Sequence, residues 1–202
     1  MRADFAKFLL VPVAVVSLSG CGVNSVPTAE ENAKAKWGDV QAAFQERANL
    51  IPNLAEVVKG AAAQENKTLT EVIEARAKAT SPEIKVNPDD LSDPAKMAAF
   101  QNAQNQLGSS LSRLLVSVEQ YPQLKSQEGY LKLQDQIEGQ ENRIRITLRD
   151  YNEAVRQYNT TIRTFPDAIG AKIVYGAKPM VSYQAQTPGA EVAPKLDMAP
   201  AK

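Results

Sequence analysis

Tyr130, Ile137, Ile144, Tyr151, Tyr158 and Phe165 stand seven residues apart, with Leu148, Val155 and Ile162 interleaved at helical steps. That period belongs to one face of an α-helix. Running from about Gln127 to Pro166, such a helix would be roughly 57 Å long at 1.5 Å per residue. A helix of this length with a single apolar stripe is not stable alone in water, so the chain must supply partners along most of it.

The partners are legible upstream. Ala33, Trp37, Val40, Phe44, Ile51, Leu54, Val58 and Ala61 recur at steps of three and four and predict a long first helix. Thr28 with Glu31 suggests a capping box at its start, after a linker over 21–27. Pro52 falls inside the pattern and predicts a kink, not an end. After a break near Gln64 to Asn66, a shorter helix carries Leu69, Val72, Ile73 and Ala77. Ser81 to Asp93, with Pro82, Asn87, Pro88, Asp89 and Asp90, reads as a loop. Asp93 before Pro94 is a helix start, and the third stripe follows through Met97, Phe100, Leu107, Leu111, Leu114 and Val118 until Tyr121-Pro122. The fold class is all-α, with long first and fourth helices over 28–166. Beyond Pro166, 167–183 reads as an extended segment packed on or near the helices, and 184–202 as a disordered tail.

The amino terminus reads as an address. Arg2 and Lys7 precede the uncharged run Phe8 to Leu18, the order of a secretory signal over 1–20. The run is about half the roughly 20 residues needed to span a bilayer. Leu18, Ser19, Gly20 and Cys21 then resemble the lipobox of bacterial lipoproteins, in which small residues fit the signal peptidase and the cysteine thiol is alkylated by diacylglycerol. The expectation is a lipoprotein facing the periplasm or cell exterior, held to the membrane through lipid on Cys21. Gly22 is not an aspartate, which favours the outer membrane in a host with two. The alternatives are a plain buried cysteine and a short uncleaved anchor.

Composition narrows the chemistry. Lys plus Arg and Asp plus Glu both number 23, so no overall positive field recruits nucleic acid. With no histidine and one cysteine, zinc sites of His/Cys type, histidine-based triads and intramolecular disulfides are excluded. Ser109, Ser110 and Ser112 therefore have no base of that kind. Asp89, Asp90, Asp93 and Glu83 form the densest acidic cluster; carboxylates so grouped can bind a hard cation or do acid/base work, but in a loop they read first as a solvated helix-capping turn. No catalytic residue, metal or cofactor is assigned.

Two polar residues interrupt apolar stripes, Arg47 on the first helix and Glu141 on the fourth. If those helices are antiparallel neighbours, the two fall about a turn apart, which predicts an interhelical ion pair, read either as a pair that sets register or as a binding or catalytic charge in a cleft. The pairs Tyr151-Asn152 and Tyr158-Asn159 stand one heptad apart, their tyrosines on one stripe. Because the second helix is short, Trp37, Val40, Tyr151, Val155, Tyr158 and Ile162 are expected to form an aromatic seam open to a partner helix or the membrane headgroup zone. The competing expectation is that the Ser81 to Asp93 loop, Ala171 to Tyr183, or a second copy of the chain covers it.

The stretches RANLIPNLAEVVKG (Arg47 to Gly60), VIEARA (Val72 to Ala77), VEQYPQLKS (Val118 to Ser126), QENRI (Gln140 to Ile144) and DYNEAVRQYNTTIRTFP (Asp150 to Pro166) resemble the LemA family over roughly Ala29 to Tyr183. The resemblance implies an antiparallel four-helix bundle with its amino terminus at the membrane and its body outside the cytoplasm. It departs in the anchor, a lipobox standing where many members carry an uncleaved transmembrane helix. The functional expectation is a binding or scaffold component of the bacterial envelope with an envelope protein partner. The rival expectations are a carboxylate-based glycan hydrolase and a purely structural spacer.

Overall fold

The computed structural model describes residues 24–61, 66–125 and 127–184. The leader, the Leu18 to Cys21 box, residues 22 and 23 of the linker, most of the break after the first helix and the tail beyond 184 lie outside the described residues. The described chain is helical: α1 (Ser25–Ala61), α2 (Asn66–Ala79), α3 (Pro94–Val118), the short α4 (Pro122–Lys125), α5 (Glu128–Thr161) and α6 (Asp167–Ile173), with two 3-10 turns between α2 and α3. No strand occurs among the described residues, and no helix there is long and apolar enough to cross a membrane.

Helix α1 starts earlier than the sequence suggests. Pro27 lies in its first turn, where its missing N–H would have had no helical acceptor anyway. Val26 is fully buried, so residues 25–27, expected as linker, are part of the fold. Thr28 does not cap; its hydroxyl donates back to the Asn24 carbonyl at 2.7 Å, while Glu31 faces Lys34 at 3.7 Å. By contrast, Asp93 caps α3, accepting from the amides of Ala95 and Lys96 at 2.9 and 3.2 Å.

Helix α5 stops at Thr161, four residues before Phe165. Its last turns are threonine-rich, and the hydroxyls of Thr160 and Thr161 bond back to the carbonyls of Arg156 and Gln157, competing with helix propagation. Phe165 consequently leaves the stripe and stands 81% exposed, while Tyr130, Ile137, Ile144, Tyr151 and Tyr158 are buried. The segment 167–183, expected to be extended, begins instead as α6. That helix is followed by Gly176 at φ +56°, and the Ala177 amide reaches back to the Ala171 carbonyl at 2.9 Å, a turn that needs a glycine's left-handed freedom.

Helices α1 and α5 run antiparallel, as their cross-links show: Ser25 hydroxyl to Asp167 beyond the end of α5 (2.6 Å), and Arg143 to Glu46 (2.6 Å). Helices α2 and α3 form a second antiparallel pair, joined by Arg113 to Glu71 (3.2 Å) and Lys78 to Gln106 (3.2 Å). The core is divided. One cluster gathers Ile51, Leu54, Val58, Val72, Leu107, Leu114 and Ile137 from α1, α2, α3 and α5. The other surrounds Trp37, Val40, Phe44, Met97, Phe100, Tyr151 and Val155, and has no contribution from α2. There the cover is Val86 and Leu91 of the loop, Ala171 of α6, and Met180 and Tyr183 of the extended segment.

Helix α1 continues through Pro52, which strands the carbonyl four residues back. The Arg76 guanidinium fills the vacancy, Nε donating to the Ala48 carbonyl at 2.7 Å, so α2 is bolted to α1 where α1's own ladder fails. Arg76→Met should cost about 1.5–3 kcal/mol, the range for a charge-assisted hydrogen bond. In a Pro52→Ala background residue 52 regains its N–H, and the same change should cost clearly less. Thermal melts of the two single variants and the double variant decide; strict additivity refutes the repair.

Candidate functional site

Between the two core clusters lies a polar layer. Arg47 is 3% exposed on α1, its Nη1 3.0 Å from Glu141 Oε1 of α5 and its Nη2 donating to Gln104 of α3, at 3.1 Å to the carbonyl and 2.7 Å to Oε1. The guanidinium also sits over the Phe44 ring, 5.0 Å from its centroid. Gln104 passes the network on, its Nε2 donating to the Ala79 carbonyl at the end of α2 at 3.2 Å. Gln140 joins α5 to α1 through the Ala43 carbonyl at 2.7 Å. Arg47 Nε has no hydrogen-bond partner. The structure thus brings Arg47 and Glu141 together, but unevenly: the Glu141 side chain is 42% exposed, so solvent screens it, and Gln104 satisfies much of the buried cation.

Beyond this layer the extended segment 177–184 crosses α5 as a strap. Asn159 donates to the Met180 carbonyl and accepts from its amide, both at 2.9 Å. Asn152 does the same to Tyr183, both at 2.8 Å. Between them Tyr151 donates its hydroxyl to the Val181 carbonyl at 2.9 Å, and the Val181 amide bonds the Leu91 carbonyl at 2.9 Å. The spacing explains the fit. One heptad of helix advances about 10.5 Å, and three residues of extended chain advance about 10 Å, so two asparagines seven apart meet two backbone units three apart.

The six seam residues are covered, which corrects the expectation of an open seam. Trp37, Val40, Tyr151 and Val155 are fully buried, Tyr158 nearly so, and Ile162 half-buried. The reason is the loop and the strap: Trp37 Nε1 and Gln41 Nε2 both donate to the Val86 carbonyl, at 2.8 and 2.9 Å, drawing the loop onto α1. Rings then pack in a chain, Tyr151 to Trp37 at 5.1 Å, Trp37 to Phe100 at 5.2 Å, Phe100 to Phe44 at 5.4 Å and Phe44 to Tyr183 at 6.0 Å. Asn152 and Asn159 were missed as site residues, although their heptad spacing was visible beside the tyrosines.

The acidic loop is engaged in structural contacts. Asp93 caps α3; Asp90 pairs with Lys96 at 2.6 Å, which holds its carboxyl below the usual range; Asp89 faces Lys34 at 3.4 Å. The groove beside the polar layer is lined by Gln41, Phe44, Gln45, Thr80, Phe100 and Gln104 with Lys85 at its edge, a set that lacks a carboxylate. Serines 109, 110 and 112 lie on α3, and Ser110 donates to the Gln106 carbonyl of its own helix at 2.8 Å.

Together these features define an all-helical protein whose longest helices are braced by a buried arginine layer and a clamped carboxy-terminal strap. The LemA family model matches residues 36–198, and the chain belongs to the LemA family. It is 29% identical over 126 residues to Protein LemA of Metamycoplasma hominis, covering 62% of this chain and 52% of that protein. It is also 27% identical over 173 residues to magnetosome protein MamQ 2 of Paramagnetospirillum magneticum, covering 78% and 63%. To magnetosome protein MamQ of Magnetospirillum gryphiswaldense it is 26% identical over 158 residues, covering 71% and 58%. The chain therefore spans between half and two thirds of the length of these relatives.

Two outcomes follow. Asn152→Ala with Asn159→Ala should strip the Met180 and Tyr183 amides of protection in hydrogen exchange and cost about 1–3 kcal/mol per site; unchanged protection would show that packing alone holds the strap. Burial also pushes the Tyr183 hydroxyl up to about 12, with Arg47 opposing and Glu141 adding to the shift. Because an unfolded tyrosine titrates near 10, the folded state keeps a proton that the unfolded state loses between about 10 and 12. Stability supplied by Tyr183 is complete below about pH 10 and is lost as the pH rises through its folded value, on the order of 2–3 kcal/mol in all. Alkaline melts of Tyr183→Phe should fall less steeply across that window than those of the parent; equal slopes would contradict this.

Proposed function

We propose that this chain is a lipid-anchored, non-catalytic scaffold of the bacterial envelope, an antiparallel four-helix bundle held at the membrane by Cys21 and facing the periplasm or cell exterior. The observation that carries the reading is the closeness of the Leu18 to Cys21 box to a helix that is already packed at Val26. Only Gly22, Val23 and Asn24 separate Cys21 from α1, so the anchor passes into the longest helix with almost no tether. A rigid body set at a fixed height above a membrane suits the positioning of another envelope component.

Absence of catalysis is supported by the employment of Asp89, Asp90 and Asp93 in a cap and ion pairs, and by relatives whose names denote no reaction. The partner surface does not coincide with the aromatic seam, whose side chains are occupied by the loop and strap. An outer-membrane location, if the host has two membranes, follows from Gly22 as before.

The test is the mature amino terminus. Mass spectrometry of the protein taken from membranes should find it beginning at Cys21 with added acyl mass, and Cys21→Ala should leave the precursor unprocessed and shift the protein out of the lipid-modified fraction. Recovery of an intact Met1 from the native host would overturn the anchor. Cross-linking from exposed positions on α2 and α3, on the same preparation, should capture one defined envelope protein; a chain that is only a spacer would capture none.

A further inference from the structure

The described residues place an unusual concentration of bare apolar side chains at one end of the molecule. Phe165, Ile169, Ile173 and Val174 are 81%, 54%, 77% and 63% exposed, and all belong to α6 or its flanks. Ile169 and Ile173 are four apart and so lie on one face, while Ala171, about 200° around the helix from Ile169, is buried in the core. The helix is therefore docked by its small residue and turned with its large ones outward. Nothing in the packing of α6 requires this; serine or lysine at 169 and 173 would serve the fold as well.

The position of the patch names its occupant. The Ser25 hydroxyl bonds the Asp167 carboxylate at 2.6 Å, so α6 lies against the first residue of α1. Four residues of fully extended chain reach about 14 Å at most, which bounds the distance from Ser25 to Cys21. A lipid on Cys21 would fix that atom at the membrane interface, and interfacial helices sink their apolar faces about 5–10 Å into the headgroup boundary. Of the flanking charges, Arg163 and Lys172 are exposed beside the patch and Asp167 is engaged by Ser25, while Lys178 lines the neighbouring groove with Asp89, Asp90 and Asp93. Basic side chains beside an apolar face suit an anionic phospholipid surface.

We infer that the face formed by Phe165, Ile169, Ile173 and Val174 lies in the membrane interface as a second contact beside the acyl chains, fixing the tilt of the bundle on the bilayer. This rests on the proposed anchor at Cys21, and the experiment separates the two. The full-length protein carrying Ile173→Cys is purified from membranes, labelled with an environment-sensitive fluorophore and reconstituted into vesicles of phosphatidylethanolamine and phosphatidylglycerol. Acylation blocks Cys21, leaving residue 173 as the reactive thiol. Val116→Cys, equally apolar and 63% exposed but on α3 at the opposite end, is the control.

The expected result is blue-shifted emission at 173 that is quenched by spin-labelled lipid, with neither at 116. Adding Phe165→Ser and Ile169→Ser, both exposed and outside the core, should abolish the quenching at 173 while leaving the melting temperature unchanged. Water-like emission at 173 overturns the inference. So does a blue shift without lipid quenching, which would mean that a protein or a second copy covers the face. The acyl mass of the same sample reads the anchor independently. Were that mass absent, the measurement on a Cys21→Ser, Ile173→Cys chain would still decide the inference by the same criterion.

Discussion

A buried cation fixes where everything else in this structure must stand. A guanidinium carries five N–H donors and no acceptor, so each donor of the buried Arg47 must find an acceptor or remain a cost. It draws on Glu141 of α5 and on both the side chain and backbone of Gln104 of α3, and Gln104 in turn holds the end of α2. Four helices are thereby keyed to one level. An apolar residue at 47 could be stabilising in itself, because buried charges seldom repay their desolvation in full. What the arginine supplies is a single register: sliding α1 against α5 by one turn would leave the guanidinium among the leucines of one cluster or the rings of the other.

The same level separates two ways of covering a long helix pair. On one side α2 lies along α1, and the seam is closed by helix against helix. On the other side α2 has ended, and a loop and a strap take its place. A loop brings unpaired backbone groups to a buried surface, and each must be satisfied by side chains. That explains the residue types found there. Trp37 and Gln41 serve Val86; Asn152, Asn159 and Tyr151 serve Met180, Val181 and Tyr183. Asparagine carries an NH2 donor and a C=O acceptor side by side on a planar amide, the complement of a peptide unit, so it treats the strap as a neighbouring strand would.

Periodicity made the long helices legible because burial selects apolar residues at fixed steps, and Arg47 and Glu141 were visible as interruptions of those steps. The family resemblance was legible in the same stretches. The end of α5 was not, since Phe165 keeps the heptad after the backbone has left the helix, and threonine hydroxyls, not the apolar pattern, decide the stop. Helix α6 was hidden by Gly170 and by the β-branched Ile173 and Val174, which favour extended chain locally; its place is set by Ala171 against the core and by Gly176. The cover over the seam could not be read from helix lengths alone, because those lengths say where a surface is unclaimed by helices and nothing about what loops do.

The two halves also differ in how they can be opened. In the α2–α3 half, exposing the core requires breaking helices whose internal ladders form together. In the other half the strap has no internal ladder, and its hold comes from bonds to Asn152, Asn159, Tyr151 and Leu91 and from the burial of Met180 and Tyr183. Its separation from the body is thus a local event, of smaller free energy than global unfolding, and it would uncover Phe44 and Tyr151 in one step. Since α6 precedes the strap by only a few residues, a surface that fixes α6 also fixes one end of the strap and lowers the entropy it gains on release. The end of the molecule where α1 begins is therefore the one most dependent on segments that are not long helices, and the one where attachment to a surface would do most to hold the fold closed.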